Sequence, residues 1–323
     1  METRKLYYED PFQKGFATTV VSCDEVKGGY AVVLAETAFY PEGGGQPYDT
    51  GVLGEANVLE VHEKNGVITH LCDKPFEVGK SVSGKIDWAR RFDHMQQHSG
   101  EHICSGLICE RFHCDNVGFH MGADVVTIDF NADISWDELM EIEQLANLYI
   151  YEDHPIDIQF YRGAELDKVE YRSKKPLEGD VRIVSFPGAD CCACCGTHVV
   201  RSGQVGLVKF LSVQKFRDGV RIELLSGKRA HRYLSECWAQ DVRIAQALSV
   251  KPNASFAGVE RVLAELSALK QRCAKLEESV FAQTAAQYEG KGDVLLFEDE
   301  MSGDSLRKLC DAVTNHCGGR CAV

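Results

Sequence analysis

The first ninety residues alternate. Runs such as 31–34, 56–61 and 66–71 place apolar side chains at nearly every second position and are separated by glycine-rich turns. A period of two belongs to strands with one buried face. Segments this short, joined this tightly, predict a small β-barrel over residues 1–88. The pattern then changes. A helix is expected from about Arg90 through Phe112, a strand at Val125–Phe130, and a helix from Trp136 to about Tyr151. Ser135 fits its N-cap, with Glu138 at the capping-box position. Strands follow at Asp157–Tyr161 and Val181–Phe186. CCACCGTH reads as the loop after them, and Val205–Val213 with Gly219–Leu225 as a closing hairpin. Residues 89–230 thus form an α+β core.

Residues 231–250 have a helical pattern. Further on, Val259, Val262, Leu266, Leu269, Cys273, Leu276 and Val280 recur at alternating steps of three and four, which is a heptad seam. It suits a homodimer through 259–280, a hairpin with 231–250, or packing on the chain's own body. The last part, 291–323, gives a strand (Val294–Phe297), a helix (Ser305–His316) and a strand from Arg320. This incomplete α/β unit either docks on the rest or continues in a longer protein. The fold class is α+β in four parts: 1–88, 89–230, a helical connector 231–290, and 291–323.

Composition changes this picture little. The 323 residues are 44% hydrophobic and 26% charged, ordinary for a soluble globular protein. METRKLYYED contains no apolar run and does not read as a signal peptide. No stretch approaches the roughly 20 apolar residues of a membrane span, so no membrane association and a cytoplasmic location are expected. Fourteen cysteines without a secretory signal favour metal binding or buried thiols over a disulfide framework. The net charge of -14 argues against broad nucleic-acid binding. Residues 201–229 run the other way, with seven basic and two acidic side chains.

Two clusters carry candidate chemistry. HSGEH places His98 and His102 four apart, on one helical face. CCGTH offers Cys194 and His198 around Gly196, which permits a tight bend. Together they make three nitrogens and one sulfur, a tetrahedral set suited to Zn2+. Four protein ligands would form a closed site; three plus a water would form a hydrolytic one. HSGEH also fits the H-x-x-E-H form of zinc metallopeptidases, with Glu101 as general base and Glu170 or Glu178 as a further ligand. FYPEGGGQPYDTG brings Gly43, Gly44, Gly45 and Gln46 together. It is either a plain connecting loop or a run of backbone N–H groups open to a phosphate or carbonyl.

In order along the chain, FYPEGGGQPYDTG, RRFDHMQQHSGEH, VGFHMGADVVTIDF, CCACCGTHVVRSGQVGLVKF and VRIELLSGKRA resemble the motifs of the AlaX family. These are free-standing relatives of the alanyl-tRNA synthetase editing domain. The likeness covers roughly residues 1–230, and the tail resembles the long form, with a helical connector and a DHH-associated domain. The resemblance implies a hydrolase that deacylates tRNA(Ala) mischarged with serine, or with glycine. Such a second site is needed because binding alone separates alanine from a slightly larger or smaller amino acid by only modest ratios. It implies zinc held by His98, His102, Cys194 and His198. It implies a substrate pocket using Val117–Gly122, with Gly118 and His120, and the loop at Gly43–Gln46. Glu101 is then a base or a tuner of His102, and Thr197 a substrate contact or a turn cap. The basic stretch 201–229 becomes a phosphate-facing surface. Cys195 stands where the family commonly has glycine, and Cys192 reads as a buried thiol. A zinc-stapled tRNA-binding module without catalysis is the remaining reading.

Overall fold

Alternation in the first ninety residues does produce strands. In the computed structural model, which describes residues 2–173 and 179–323, six of them pair antiparallel in a closed ring. They are β1 (Gly15–Val26), β2 (Gly29–Leu34), β3 (Gly51–Leu53), β4 (Ala56–Lys64), β5 (Val67–Cys72) and β6 (Ser81–Ile86), in the order β1-β2-β5-β4-β3-β6. The inward set, including Val20, Val32, Leu34, Leu53, Val58, Val61, Ile68 and Ile86, is buried as one core.

Asp87 then caps α1 (Trp88–Phe112), accepting from the Arg90 N–H. The helix ends at His113, which is left-handed with φ of 50°. Residues 94–106 of α1 are buried on every side. The helix lies against two sheets. One has the order β12-β13-β8-β7, formed by β7 (Asn116–Met121), β8 (Val126–Phe130), β12 (Val208–Phe216) and β13 (Gly219–Ser226). The other joins β9 (Asp157–Arg162), β10 (Asp180–Phe186) and β11 (Asp190–Ala193). Between β8 and β9 runs α2 (Trp136–Tyr151), whose Ser135–Glu138 capping box forms as expected. Glycines let α1 come close. A Cβ at Gly100 would stand 2.1 Å from Ser226 Oγ, and one at Gly106 2.0 Å from the Ala189 carbonyl.

The closed ring docks on α1 through a wholly buried ion pair. Arg91 Nε lies 3.2 and 3.0 Å from the two oxygens of Asp49, and its guanidinium also reaches the carbonyls of Pro11 and Ala38. A buried charge needs this completeness, since an unpaired one would cost several kcal/mol.

The chain separates into two compact units, one ending at Ser235 and the other running Glu236–Val323. α3 (Gly227–Ala247) leads from the first to the second. In the second, α4 (Ser255–Gln287) supplies Phe281 and Ala285 to a small core with Leu296, Leu309, Val313 and Cys317. There β14 (Gly292–Leu295) pairs parallel with β15 (Gly318–Ala322) around α5 (Gly303–Cys317). The heptad seam is not covered: Leu266, Leu269, Leu276 and Val280 are 46–57% exposed. Among the described residues no helix is long and apolar enough to cross a membrane.

Two expectations change. CCACCGTH is not all loop, because Cys191 and Cys192 lie in β11, antiparallel to β10. The basic stretch 201–229 is largely neutralised. Arg201 pairs with Asp153, Lys209 with Glu143, Lys215 with Asp133, Arg221 with Asp129 and Arg229 with Asp93. The acids come from distant segments, so local charge counting could not find them.

Candidate metal centre

Four side chains meet where α1 passes the loop after β11. The donor atoms of His98, His102, Cys194 and His198 all lie within 4.8 Å of one another. Cys194 Sγ stands 3.5 Å from His98 Nε2 and 3.3 Å from His198 Nε2. Zn–N and Zn–S bonds of about 2.0 and 2.3 Å at tetrahedral angles separate such donors by about 3.5 Å. The group therefore has the size and chemistry of a zinc site.

The second nitrogen of each imidazole is tied. The Thr197 backbone N–H donates to Gln46 Oε1 at 3.0 Å, which fixes that atom as oxygen. His98 Nδ1, 2.9 Å from the same oxygen, must then carry the proton and donate. His102 Nδ1 donates to Asp190 at 2.8 Å, and Arg172 grips that carboxylate at 2.7 and 2.9 Å. His198 Nδ1 meets Ser99 Oγ at 3.2 Å. The Gln46 and Asp190 bonds put a proton on Nδ1 of His98 and His102 and so turn Nε2 of each toward the group, and Ser99 orients the His198 ring in the same way. His98 lies flat on Phe119 with centroids 5.2 Å apart, and His102 on Phe186 at 5.4 Å.

Electrostatics favour a thiolate. Burial pushes the Cys194 thiol up, but the facing rings of His98, His198 and His102 outweigh it and hold it well below its usual value. The Gly196 N–H also donates to Cys194 Sγ, at 3.3 Å. His102 is driven the other way. Burial lowers it, but Cys194 and Asp190 together hold it well above the ordinary histidine range.

The glycine-rich loop has a different task from a phosphate cradle. Gly43 and Gln46 pair N–H to carbonyl in both directions, at 3.1 and 3.0 Å. Gly44 and Gly45 between them have φ of 59° and 88°, the two-residue hairpin turn that needs left-handed residues at both central positions. The turn aims Gln46 inward, where it is fully buried. Its Nε2 donates to Thr197 Oγ1 at 2.8 Å, so buried Thr197 holds the loop rather than standing open to a substrate.

Other expected site residues are not brought to the group. Glu101 is buried but outside it, its Oε1 accepting from Ser105 Oγ at 2.6 Å and Asn116 Nδ2 at 2.9 Å. Glu170 is exposed, and Glu178 lies outside the described residues. Among the described residues a peptidase arrangement therefore finds neither its base nor its third ligand, while Cys194 joins the two helical histidines and His198. Gly118 backs onto Asp129, where a Cβ would meet Oδ2 at 2.5 Å, and His120 is exposed. Both point to the opposite face of β7 from Phe119, because neighbouring strand residues alternate. Phe119, Asp190 and Ser99 were not singled out by sequence reasoning. Strand parity could have found Phe119. Cys195 is exposed and outside the group, whereas Cys192 lies near His102 and Asp190.

Comparisons with known proteins give the family. Residues 9–90 match the family model of class II (A) tRNA synthetases, and residues 181–223 that of the threonyl and alanyl tRNA synthetase second additional domain. The alanyl-tRNA editing protein AlaX-L of Pyrococcus horikoshii is 31% identical over 318 residues, 93% of this chain and 75% of the relative. The chain belongs to the AlaX family of alanyl-tRNA editing proteins. The alanyl-tRNA editing protein Aarsd1-A of Xenopus laevis is 30% identical over 88% of this chain and 73% of its own length. An alanine–tRNA ligase of Pyrococcus abyssi is 36% identical over 96% of this chain, which spans only 36% of that larger protein.

Proposed function

We propose that the protein deacylates tRNA(Ala) wrongly charged with serine, or with glycine, at a zinc site made by His98, His102, Cys194 and His198. The observation that carries this reading is the convergence of one sulfur and three Nε2 atoms whose partner nitrogens are all engaged. The AlaX relatives supply the substrate class through the names they carry.

Zinc held by these four residues would fill a closed set, so it would act as a Lewis acid on an ester carbonyl or a nearby water only with one protein ligand displaced. The chain's own residues do the rest. Gln46 and Asp190 hold His98 and His102 in one tautomer and one direction, and Ser99 orients the His198 ring. Phe119 and Phe186 confine two of the rings and keep water from their faces. Thr197 and Gly196 shape the loop that presents Cys194. Glu101, through Ser105 and Asn116, anchors α1 to β7 and so sets where the two helical histidines stand.

We assign the barrel reading to residues 1–88 and the editing core to 89–230, both in the first unit. The second unit is read as connector and DHH-associated segment, with the exposed seam of α4 as a homodimer contact. A cytoplasmic location suits a tRNA substrate.

The test is deacylation of Ser-tRNA(Ala) beside Ala-tRNA(Ala) by the purified, zinc-loaded protein. Rapid loss of serine, sparing of alanine and a dead Cys194→Ala variant are expected. A folded, zinc-loaded protein that releases no serine or glycine overturns the reading.

A further inference from the structure

One aromatic side chain beside the metal loop is left uncovered for no reason internal to the fold. Phe160 lies on β9, directly opposite Arg182 of β10, so the two share a face of the sheet. Along that face Ile158 still packs against the main core. Phe160, two residues on, is 51% exposed. Its ring meets Tyr8 edge-on, with centroids 5.9 Å apart. Tyr8 in turn is clamped to the metal loop, its hydroxyl donating to the Cys195 carbonyl at 3.0 Å. Arg182 completes the arrangement. Its guanidinium sits 4.8 Å over the Tyr8 ring, and Nη1 donates to the Cys194 carbonyl at 2.7 Å. Arg182 is 6% exposed, yet its Nε is buried without a partner among the described residues.

An exposed ring packed on Tyr8, which is itself capped by the buried Arg182 and bonded to the carbonyl next to Cys194, offers a free face to a flat apolar group. We propose that Phe160, steadied by Tyr8, is the stacking platform for the 3′-terminal base of the RNA substrate. This rests on the hydrolytic reading above. The ester to be cleaved sits on the terminal ribose, so with its carbonyl at the four-ligand site the attached base lies one sugar away, beside the Cys194–Cys195 segment. Every base has a π-face, so an aromatic platform secures the end of the chain without reading sequence. Discrimination is left to the metal chamber, and the edge-on Tyr8 keeps the Phe160 ring from turning into the sheet.

Two measurements on the full-length, zinc-loaded protein test this. The first is deacylation of Ser-tRNA(Ala) by wild type, Phe160→Ala and Phe160→Trp. Stacking on an aromatic side chain is worth 1–3 kcal/mol per base; the alanine variant should therefore lose about 5- to 150-fold in kcat/KM, mostly through KM. The tryptophan variant should stay near wild type, and zinc content should not change. The second is binding of uncharged tRNA(Ala) with and without its 3′-terminal base. Wild type should bind the intact end more tightly, and Phe160→Ala should bind both alike. Equal kcat/KM for wild type and Phe160→Ala, or a base preference that survives the substitution, overturns the platform. If wild type releases no serine, the hydrolytic reading fails, and the binding pair still decides whether Phe160 stacks on the base.

Discussion

At the scale of single residues, the metal set depends on groups that never touch the metal. Asp190 is the clearest. It receives His102 Nδ1 and is itself held by Arg172, so it fixes both the tautomer and the direction of one ligand. Replacing it with asparagine keeps the size and removes the charge. Outer partners of this kind are worth 10–100-fold in metal affinity; Asp190→Asn should weaken zinc binding by about that factor in a chelator competition, with the fold intact. Gly196 is constrained more severely. A Cβ there would lie 2.0 Å from His98 Cε1 and 2.3 Å from its Nδ1. His98 is itself wedged on Phe119, so neither side can yield. Gly196→Ala should purify with well under one zinc per chain and cost about 1–3 kcal/mol, the usual price of overpacking, on a denaturant curve. The four converging donors were legible in the sequence because two pairs at a spacing of four can be recognised locally. Asp190, Ser99 and Phe119 were not, because their roles exist only once α1, β7 and β11 are assembled. Gly118 and His120 were expected from the family resemblance rather than from spacing, and they stand on the face of β7 opposite Phe119.

At the scale of elements, periodicity read well where one face meets one core. α2 begins and ends at the expected residues, and its cap forms as read. The hairpin β12–β13 was found within three residues at each end. Less was legible where backbone geometry decides. The glycine loop suggested open N–H groups; the structure spends its central glycines on a reversal that delivers Gln46 to His98. The charged stretch over β12 and β13 suggested a phosphate-facing surface, but its cations meet Asp129, Asp133 and Glu143 in three dimensions. The α4 seam gives the third prediction. Seven apolar or thiol positions at heptad spacing, exposed along a 33-residue helix, suit a two-stranded coiled coil. Sedimentation should show a dimer, and Leu266→Glu with Leu269→Glu should return it to monomer while the first unit keeps its zinc. A monomeric wild type at tens of micromolar would remove the dimer.

At the scale of the whole molecule, stability should depend on acid through a histidine outside the His/Cys group. His70 lies inside the closed ring of strands, wholly buried. Its Nδ1 donates to the Val32 carbonyl and its Nε2 faces the Thr37 hydroxyl. Burial outweighs the Val32 bond and lowers its pKa to about 4. Between the ordinary value of 6.5 and about 4, the unfolded chain takes up a proton that the folded chain refuses. The stability His70 contributes is therefore full above pH 6.5 and declines as pH falls through that window. From pH 7 to pH 5 the advantage of wild type over His70→Gln should shrink by about 2 kcal/mol in urea titrations. An unchanged difference would show that His70 is already charged in the fold.

The turn at Gly44 and Gly45 has a consequence for inheritance. All four ligands belong to residues 98–198, so that segment looks like a portable cassette. Gln46, however, comes from the neighbouring ring of strands, and the residue that locks His98 arrives only with it. A gene fragment carrying the helix and both ligand motifs, but not the preceding strands, would transmit the donors without the orientation of one of them. The two parts are therefore expected to be duplicated, fused and lost together.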